Sequence, residues 1–301
     1  MPLQKILQLL LVCFAVVTPV IAQQDDDVLR VNTDLVVLNV TVTDNSGAYV
    51  RGLRATDFKI FEDGKEVPAT AISGFSLQDT PFASVVLLDT SGSMENRMTL
   101  ARSAAIRFLD GLRDEDVAAV FKFDTKIEQL QDFSSGRDLA PLAYSVKANG
   151  MTVLNDAIVT AAKALNERPE KRKAIVVLSD GIDTYSKASA TKALDQALAL
   201  GASIYTVDMS ATEGSASRNA QSAAILKNFA EKSGARFVAT PGGPALRDAF
   251  ASIAEELGHQ YTLAYRPVNR TRDGKWRNIE VKVDRESVNV RTRKGYHAPK
   301  G

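Results

Sequence analysis

Asp89, Ser91 and Ser93 stand at alternate positions directly after the apolar run Phe82-Ala83-Ser84-Val85-Val86-Leu87-Leu88. A run of that length with a β-branched centre reads as a strand buried on both faces. Closing it with one carboxylate and two hydroxyls sets three oxygen donors at the carboxyl edge of a sheet, where open α/β sheets bind ligands. Oxygen-only donors with little formal charge and room for water suit a hard divalent cation such as Mg²⁺.

Two later segments carry matching chemistry. Asn149-Gly150-Met151-Thr152-Val153-Leu154-Asn155-Asp156-Ala157 offers the hydroxyl of Thr152, and Ala174-Ile175-Val176-Val177-Leu178-Ser179-Asp180-Gly181 is a second buried strand closing on Asp180. In this order the three segments resemble the metal-ion-dependent adhesion site of von Willebrand factor type A domains. Asn155 departs from the aromatic often found there in bacterial relatives, at a position that is not a ligand in that family. The resemblance implies a shell of Asp89, Ser91, Ser93, Thr152 and Asp180. The serines bind directly, and the threonine and aspartates bind directly or through water. One corner is left for a carboxylate of a partner protein. Mg²⁺ is the expected ion, with Mn²⁺ and Ca²⁺ as alternatives. Asp183 is expected behind the shell or at its rim, and Asp156 is expected to accept N–H bonds at the start of its own helix. The function implied is a divalent-cation-dependent, adhesion-type protein-binding module. The alternative is a structural or assembly component of the cell envelope whose metal does not bridge.

The elements that would position these residues follow from hydrophobic period. Helical patterns span 97–112, 139–146, 154–165, 191–200, 217–232 and 246–257, and strands fall at 117–123, 174–178, 203–207 and 236–239. Such alternation implies a mostly parallel sheet with helices on both faces, a Rossmann-like α/β domain over 80–258.

The flanks are β in character. Val36, Leu38, Val40 and Val42 alternate with polar or outward positions, and Asp57–Phe61 runs into the turn Glu62-Asp63-Gly64-Lys65. After 258, Tyr261, Leu263 and Tyr265 alternate, Asp273-Gly274 offers a turn, and Ile279, Val281, Val283, Val288 and Val290 continue the theme. Segments 28–75 and 259–301 are each too short to cover a hydrophobic face. They are expected to meet in one small β-sandwich-like domain with the α/β domain inserted between them. Two separate β caps are the alternative. The whole outline resembles an acidobacterial family of exported type A-related proteins, through Asp57-Phe58-Lys59-Ile60-Phe61-Glu62-Asp63-Gly64, the three metal segments, Tyr261-Thr262-Leu263-Ala264-Tyr265-Arg266-Pro267 and Arg293-Lys294-Gly295-Tyr296. The tail is rich in Arg and Lys. They are read as solvated strand faces that protect sheet edges, with a basic face for anionic polymers or lipid headgroups as the competing reading.

Residues 1–22 read as a signal peptide: Lys5 precedes the apolar stretch Ile6–Val17, Thr18-Pro19 breaks it, and Val20-Ile21-Ala22 fits a cleavage site. Export to the periplasm or medium of a bacterium is expected, with no stable membrane span after cleavage. Cys13 is the one cysteine, so no disulfide is expected in the mature chain. With 37 Lys and Arg against 36 Asp and Glu, the net charge of +1 gives no pull toward nucleic acid. Enzyme activity is not expected. Ser91 stands where a haloacid-dehalogenase-like phosphotransferase needs its second aspartate. No Gly-x-Ser-x-Gly elbow, phosphate loop or dinucleotide fingerprint occurs, and the two histidines, His259 and His297, lie outside the α/β core.

Overall fold

The structure, a computed structural model, describes residues 35–137, 147–210, 216–239 and 244–301. The expected signal segment, residues 28–34 of the expected β segment and the helix expected over 139–146 lie outside the described residues.

Strand β5 (Phe82–Asp89) is buried along its whole length at the centre of a six-stranded sheet. Its neighbours are β8 (Arg172–Ser179) and β6 (Val117–Phe123). Strands β9 (Ala202–Asp208) and β10 (Phe237–Ala239) continue on one side, and β7 (Ile127–Ser134) closes the other. All pairings are parallel except β6 with β7. Because β5 is covered on both faces, its apolar side chains serve two cores. Val86 and Leu88 pack with α1 (Met98–Asp110) and α5 (Pro244–His259). Val85 and Leu87 pack with α2 (Leu154–Asn166) and α3 (Ala190–Ala199), joined by Leu226 and Phe229 of α4 (Ala216–Ser233).

The antiparallel strand β7 was not expected. As an edge strand it has only Leu130 buried, so its sequence lacks the apolar alternation that marks a half-buried strand.

The flanking segments do meet. One four-stranded sheet has the order β13 (Val288–Arg291), β1 (Val36–Asp44), β11 (Tyr261–Tyr265), β4 (Ile72–Ser76). The other runs β14 (Gly295–His297), β12 (Trp276–Val283), β2 (Phe58–Glu62), β3 (Lys65–Glu66). Both sheets mix strands from the two flanks: Val36 lies opposite Tyr265, and Ile60 opposite Val281. Leu38, Val40, Ile60, Leu263 and Val281 share one core. The β2–β3 turn places Asp63 at φ 49° and Gly64 at φ 78°, the positive values a tight hairpin needs.

Strands β4 and β11 are hydrogen-bonded neighbours, with Thr262 opposite Ser76, so the α/β domain leaves the β lobe and returns to it side by side. Arg172 closes this joint. Its guanidinium is fully buried and donates to the carbonyls of Leu77 (3.1 Å), Thr80 (3.1 Å), Leu257 (2.9 Å) and Gln260 (2.7 Å), and to Thr262 Oγ1 (3.4 Å). Both connecting segments are thus tied to one side chain. Burial lowers its pKa to about 10, which leaves the group protonated at neutral pH. Glu256 of α5 adds a second tie. It pairs with Arg236 at 2.8 Å and with Arg291 of β13, and accepts from Tyr205 Oη at 2.7 Å.

Arg172→Leu strands several buried carbonyls at once and should lower stability by about 3–5 kcal/mol. Arg172→Lys should recover only part, since an ammonium cannot reproduce the fork. Urea unfolding midpoints of the three chains check this.

Candidate metal centre

Register brings the site residues together. In the parallel pair β5 and β8, Leu88 lies opposite Leu178, so the next residues, Asp89 and Ser179, arrive level at the carboxyl edge. Strand order reverses between these two strands, which makes this edge a topological switch point.

Asp89 is fully buried. Its Oδ1 accepts the Ser91 N–H at 2.9 Å, and its Oδ2 accepts the Ser179 hydroxyl at 2.5 Å. Ser91 and Ser93 hydroxyls lie 3.1 Å apart, so one donates to the other. They are positioned by the 3₁₀ turn Gly92–Arg97, which begins directly after Ser91. Ser91, Thr152 and Asp180 are buried as well, whereas Ser93 is exposed. The site therefore opens to solvent on the Ser93 side.

Backbone bonds stitch the second segment between the other two. Asn149 N–H donates to the Thr90 carbonyl at 2.8 Å, and Gly92 N–H to the Gly150 carbonyl at 3.2 Å. Gly150 has φ 81°, and a Cβ there would collide with Thr125 Oγ1, which accepts the Met151 N–H at 3.1 Å. On the other side, Thr152 N–H donates to Thr184 Oγ1 at 3.0 Å, and its carbonyl accepts from Thr184 N–H at 3.0 Å and Tyr185 N–H at 3.1 Å.

Of the two outer aspartates, Asp156 acts differently from expectation. Asp156 does not cap its own helix. Its carboxylate accepts the N–H groups of Lys187 at 2.9 Å and Ala188 at 2.8 Å, holding the loop that leads into α3. The first turn of α2 is capped instead by Asp183, whose Oδ2 accepts the Asn155 N–H at 2.8 Å and the Ser186 hydroxyl at 2.6 Å. The helix start and the loop after β8 thus exchange carboxylates, which locks Asp180 and Thr152 to a common frame. Asn155 is buried beside them, and its Oδ1 has no partner among the described residues.

Ser179 is the contact the sequence reading missed. Its signal is its place one residue before Asp180 on the strand next to β5. Recognising it requires the register, which spacing alone does not supply.

The donor set fits a hard divalent cation. Among the described residues, no Lys or Arg pairs with Asp89 or Asp180, and no group of three or more His, Cys, Asp and Glu gathers anywhere. Two neighbouring carboxylates without a cationic side chain, flanked by three hydroxyls, form an arrangement that a small dication would neutralise. The cost of leaving them unpaired shows in Asp89: burial above all, with the nearby Asp180 carboxylate adding to it, pushes its pKa up to about 6 against the bonds from Ser179 and Ser91.

The comparisons follow the same lines. Residues 84–182 match the model of the von Willebrand factor type A domain. An aerotolerance-related membrane protein from Bacteroides fragilis is 18% identical, with 58% of this chain and 98% of that chain aligned at a TM-score of 0.50. The von Willebrand domain of the type V pili tip protein Mfa5 from Porphyromonas gingivalis is 14% identical, covering 60% and 95%, also at 0.50. The pilus adhesin SpaC from Lactobacillus rhamnosus GG in its open conformation is 11% identical and matches 85% of this chain at 0.50, but only 49% of its own length is covered. At these identities the likeness is one of fold. No curated protein sequence matches the chain. The chain thus carries a von Willebrand factor type A-like α/β fold, with extra small sheets built from its N- and C-terminal parts.

A carboxyl group whose folded pKa exceeds its unfolded value is favoured when protonated. Its contribution is therefore full below about pH 4 and is lost as pH rises through about 6. In chelator, the wild type should lose up to about 3 kcal/mol between those limits. Asp89→Asn should lack that slope and match or exceed the wild type at pH 7. Denaturant midpoints across pH 4–8 in EDTA decide this.

Proposed function

We propose that the chain is an exported, divalent-cation-dependent protein-binding module of adhesion type, engaging an acidic residue of a partner protein. The observation that supports this reading is the meeting of Asp89, Ser91, Ser93 and Asp180 at the switch point, with Thr152 on a loop bonded to both neighbouring segments and, among the described residues, no Lys or Arg pairing with the two carboxylates. A bound Mg²⁺ would supply a Lewis-acidic corner for a carboxylate, with Mn²⁺ or Ca²⁺ as substitutes. The protein's own part is positional. Ser179 orients Asp89, Asp183 fixes the start of α2, and the Gly92–Gly150 contact holds the first two segments together.

The rim supports a protein ligand rather than a small one. Met151 and Tyr185, flanking the site on two of its loops, are among the exposed large apolar residues, at 51% and 60%. Methionine and tyrosine are side-chain types enriched in protein interfaces. Adhesins and tip proteins among the solved structures of this fold agree with such a role, and with a place at the cell envelope. Among the described residues, no helix is long and apolar enough to cross a membrane. The same neighbours favour a non-enzymatic role. Mg²⁺-dependent phosphoester hydrolysis by the purified chain, abolished in Asp89→Asn, would overturn that part.

Calorimetry should register uptake of one Mg²⁺ or Mn²⁺ per chain, lost in Asp89→Ala and weakened at least about tenfold in Ser91→Ala. Capture of a partner from envelope extract should vanish with EDTA. Tyr185→Ser should weaken capture while leaving metal uptake intact. Capture that persists in EDTA and in Ser91→Ala would instead mark an assembly component with a non-bridging metal.

A further inference from the structure

At the carboxyl end of α3, the C-terminal flank and the start of β1 meet the helix around a cavity of about 350 Å³. Its wall carries four arginines, Arg266, Arg270, Arg272 and Arg293, and no carboxylate. Arg266, Arg270 and Arg272 are exposed and make no ion pair with any described residue. Other basic residues of this flank do find acids: Arg277 pairs with Asp273 at 2.8 Å, and Lys282 with Glu280 at 3.4 Å. The cavity arginines thus differ from an ordinary solvated strand face, where both signs are interleaved.

Arg293 is the most telling of the four. It is only 5% exposed, and its described hydrogen bond runs from Nη1 to the carbonyl of Leu198 at 2.6 Å. Its Nε has no hydrogen-bond partner among the described residues, and its guanidinium lies over the Tyr296 ring at 5.7 Å. The buried carboxylate in this region, Glu62, is taken by the hydroxyls of Tyr265 (2.8 Å) and Tyr296 (3.0 Å) and by the Asn269 N–H (3.3 Å). A buried guanidinium without an anion is costly unless a ligand supplies one. Burial accordingly lowers the Arg293 pKa to about 10.

We infer that this cavity is a binding site for a phosphate group carried by a small molecule or a lipid, gripped by Arg293 from within and by Arg270 and Arg272 at the mouth. Planar guanidinium forks match phosphate oxygens two at a time, and several of them around one cavity favour a multiply charged group. The volume lies at the lower end of the range for small-ligand pockets and accommodates a sugar phosphate. The site lies away from the Asp89 centre and stands independently of the metal.

The test is calorimetry with inorganic phosphate and glucose 6-phosphate at about 150 mM salt, where unspecific attraction is screened, alongside sedimentation with phosphatidylcholine vesicles containing phosphatidic acid. Because Asp25-Asp26-Asp27 precedes Leu35, a residue of the cavity wall, the D25N/D26N/D27N chain is measured beside the wild type. Saturable binding of one phosphate per chain is expected in at least one of the two. R270Q/R272Q should lower affinity about tenfold or more with an unchanged melting temperature in phosphate-free buffer. K282Q, on a solvent-facing strand position, should change nothing. R293M should abolish binding, and the exposed pair carries the test if that variant fails to fold. Binding of glucose 6-phosphate assigns a soluble ligand, and binding to vesicles alone assigns a lipid headgroup. If neither chain binds any of the three probes, or R270Q/R272Q binds as tightly as its parent, the inference is wrong.

Discussion

Parallel pairing of β5 with β8 is the constraint on which the candidate centre depends. Parallel neighbours advance together, so two strands matched at Leu88 and Leu178 must release their next residues at the same height. Asp89 then meets Ser179, and Asp180 follows one residue further on. No local interaction in either segment creates this meeting. It comes from burial of Val85, Val86, Leu87, Ile175, Val176 and Val177, which fixes register by filling two cores at once. The loops are fastened afterwards, by the Asp183 cap on α2 and by the backbone bonds through Asn149, Gly92 and Thr152. Hydrophobic order thus sets the electrostatic problem, and a short list of polar contacts determines its geometry.

Arg172 plays the corresponding role between the two parts of the chain. A buried guanidinium that binds carbonyls instead of carboxylates gains less from attraction and more from satisfying backbone groups that could not reach water. Glu256 holds α5 to Arg236, just before β10, and to β13 by opposite charge. The joint is therefore polar inside and apolar around, a combination that specifies one orientation of the parts more strongly than packing alone.

Much of this was legible in the sequence. Strands β5 and β8 announce themselves as largely apolar runs, β9 as a shorter mixed one, and the helices over 98–110, 154–166, 190–199, 216–233 and 244–259 match their 3.6-residue period closely. The oxygen donors stand at strand ends, where alternation stops. The union of the two β flanks followed from their inability to cover a core singly. What was not legible depends on tertiary neighbours. β7 is an edge strand with one buried residue, so its sequence carries no pattern to read. Asp156 carries a plausible local role as the cap of its own helix, yet in the folded loops it holds Lys187 and Ala188 while Asp183 of the neighbouring loop caps the helix. Arg172 and Arg293 look like surface residues in one dimension, and only the closure of the β lobe over α3 and the connecting segments buries them.

The adjacency of β4 and β11 has a mechanical meaning. A domain that leaves and re-enters through two hydrogen-bonded neighbours forms a closed side branch on the chain. Tension drawn along the β lobe passes from strand to strand through its two small sheets and bypasses the inserted domain. The strands that would carry such a load include those holding Glu62 and Arg291, while the Asp89 centre sits at the end of a branch that the force does not traverse. A module built this way can be pulled without distorting the surface it presents.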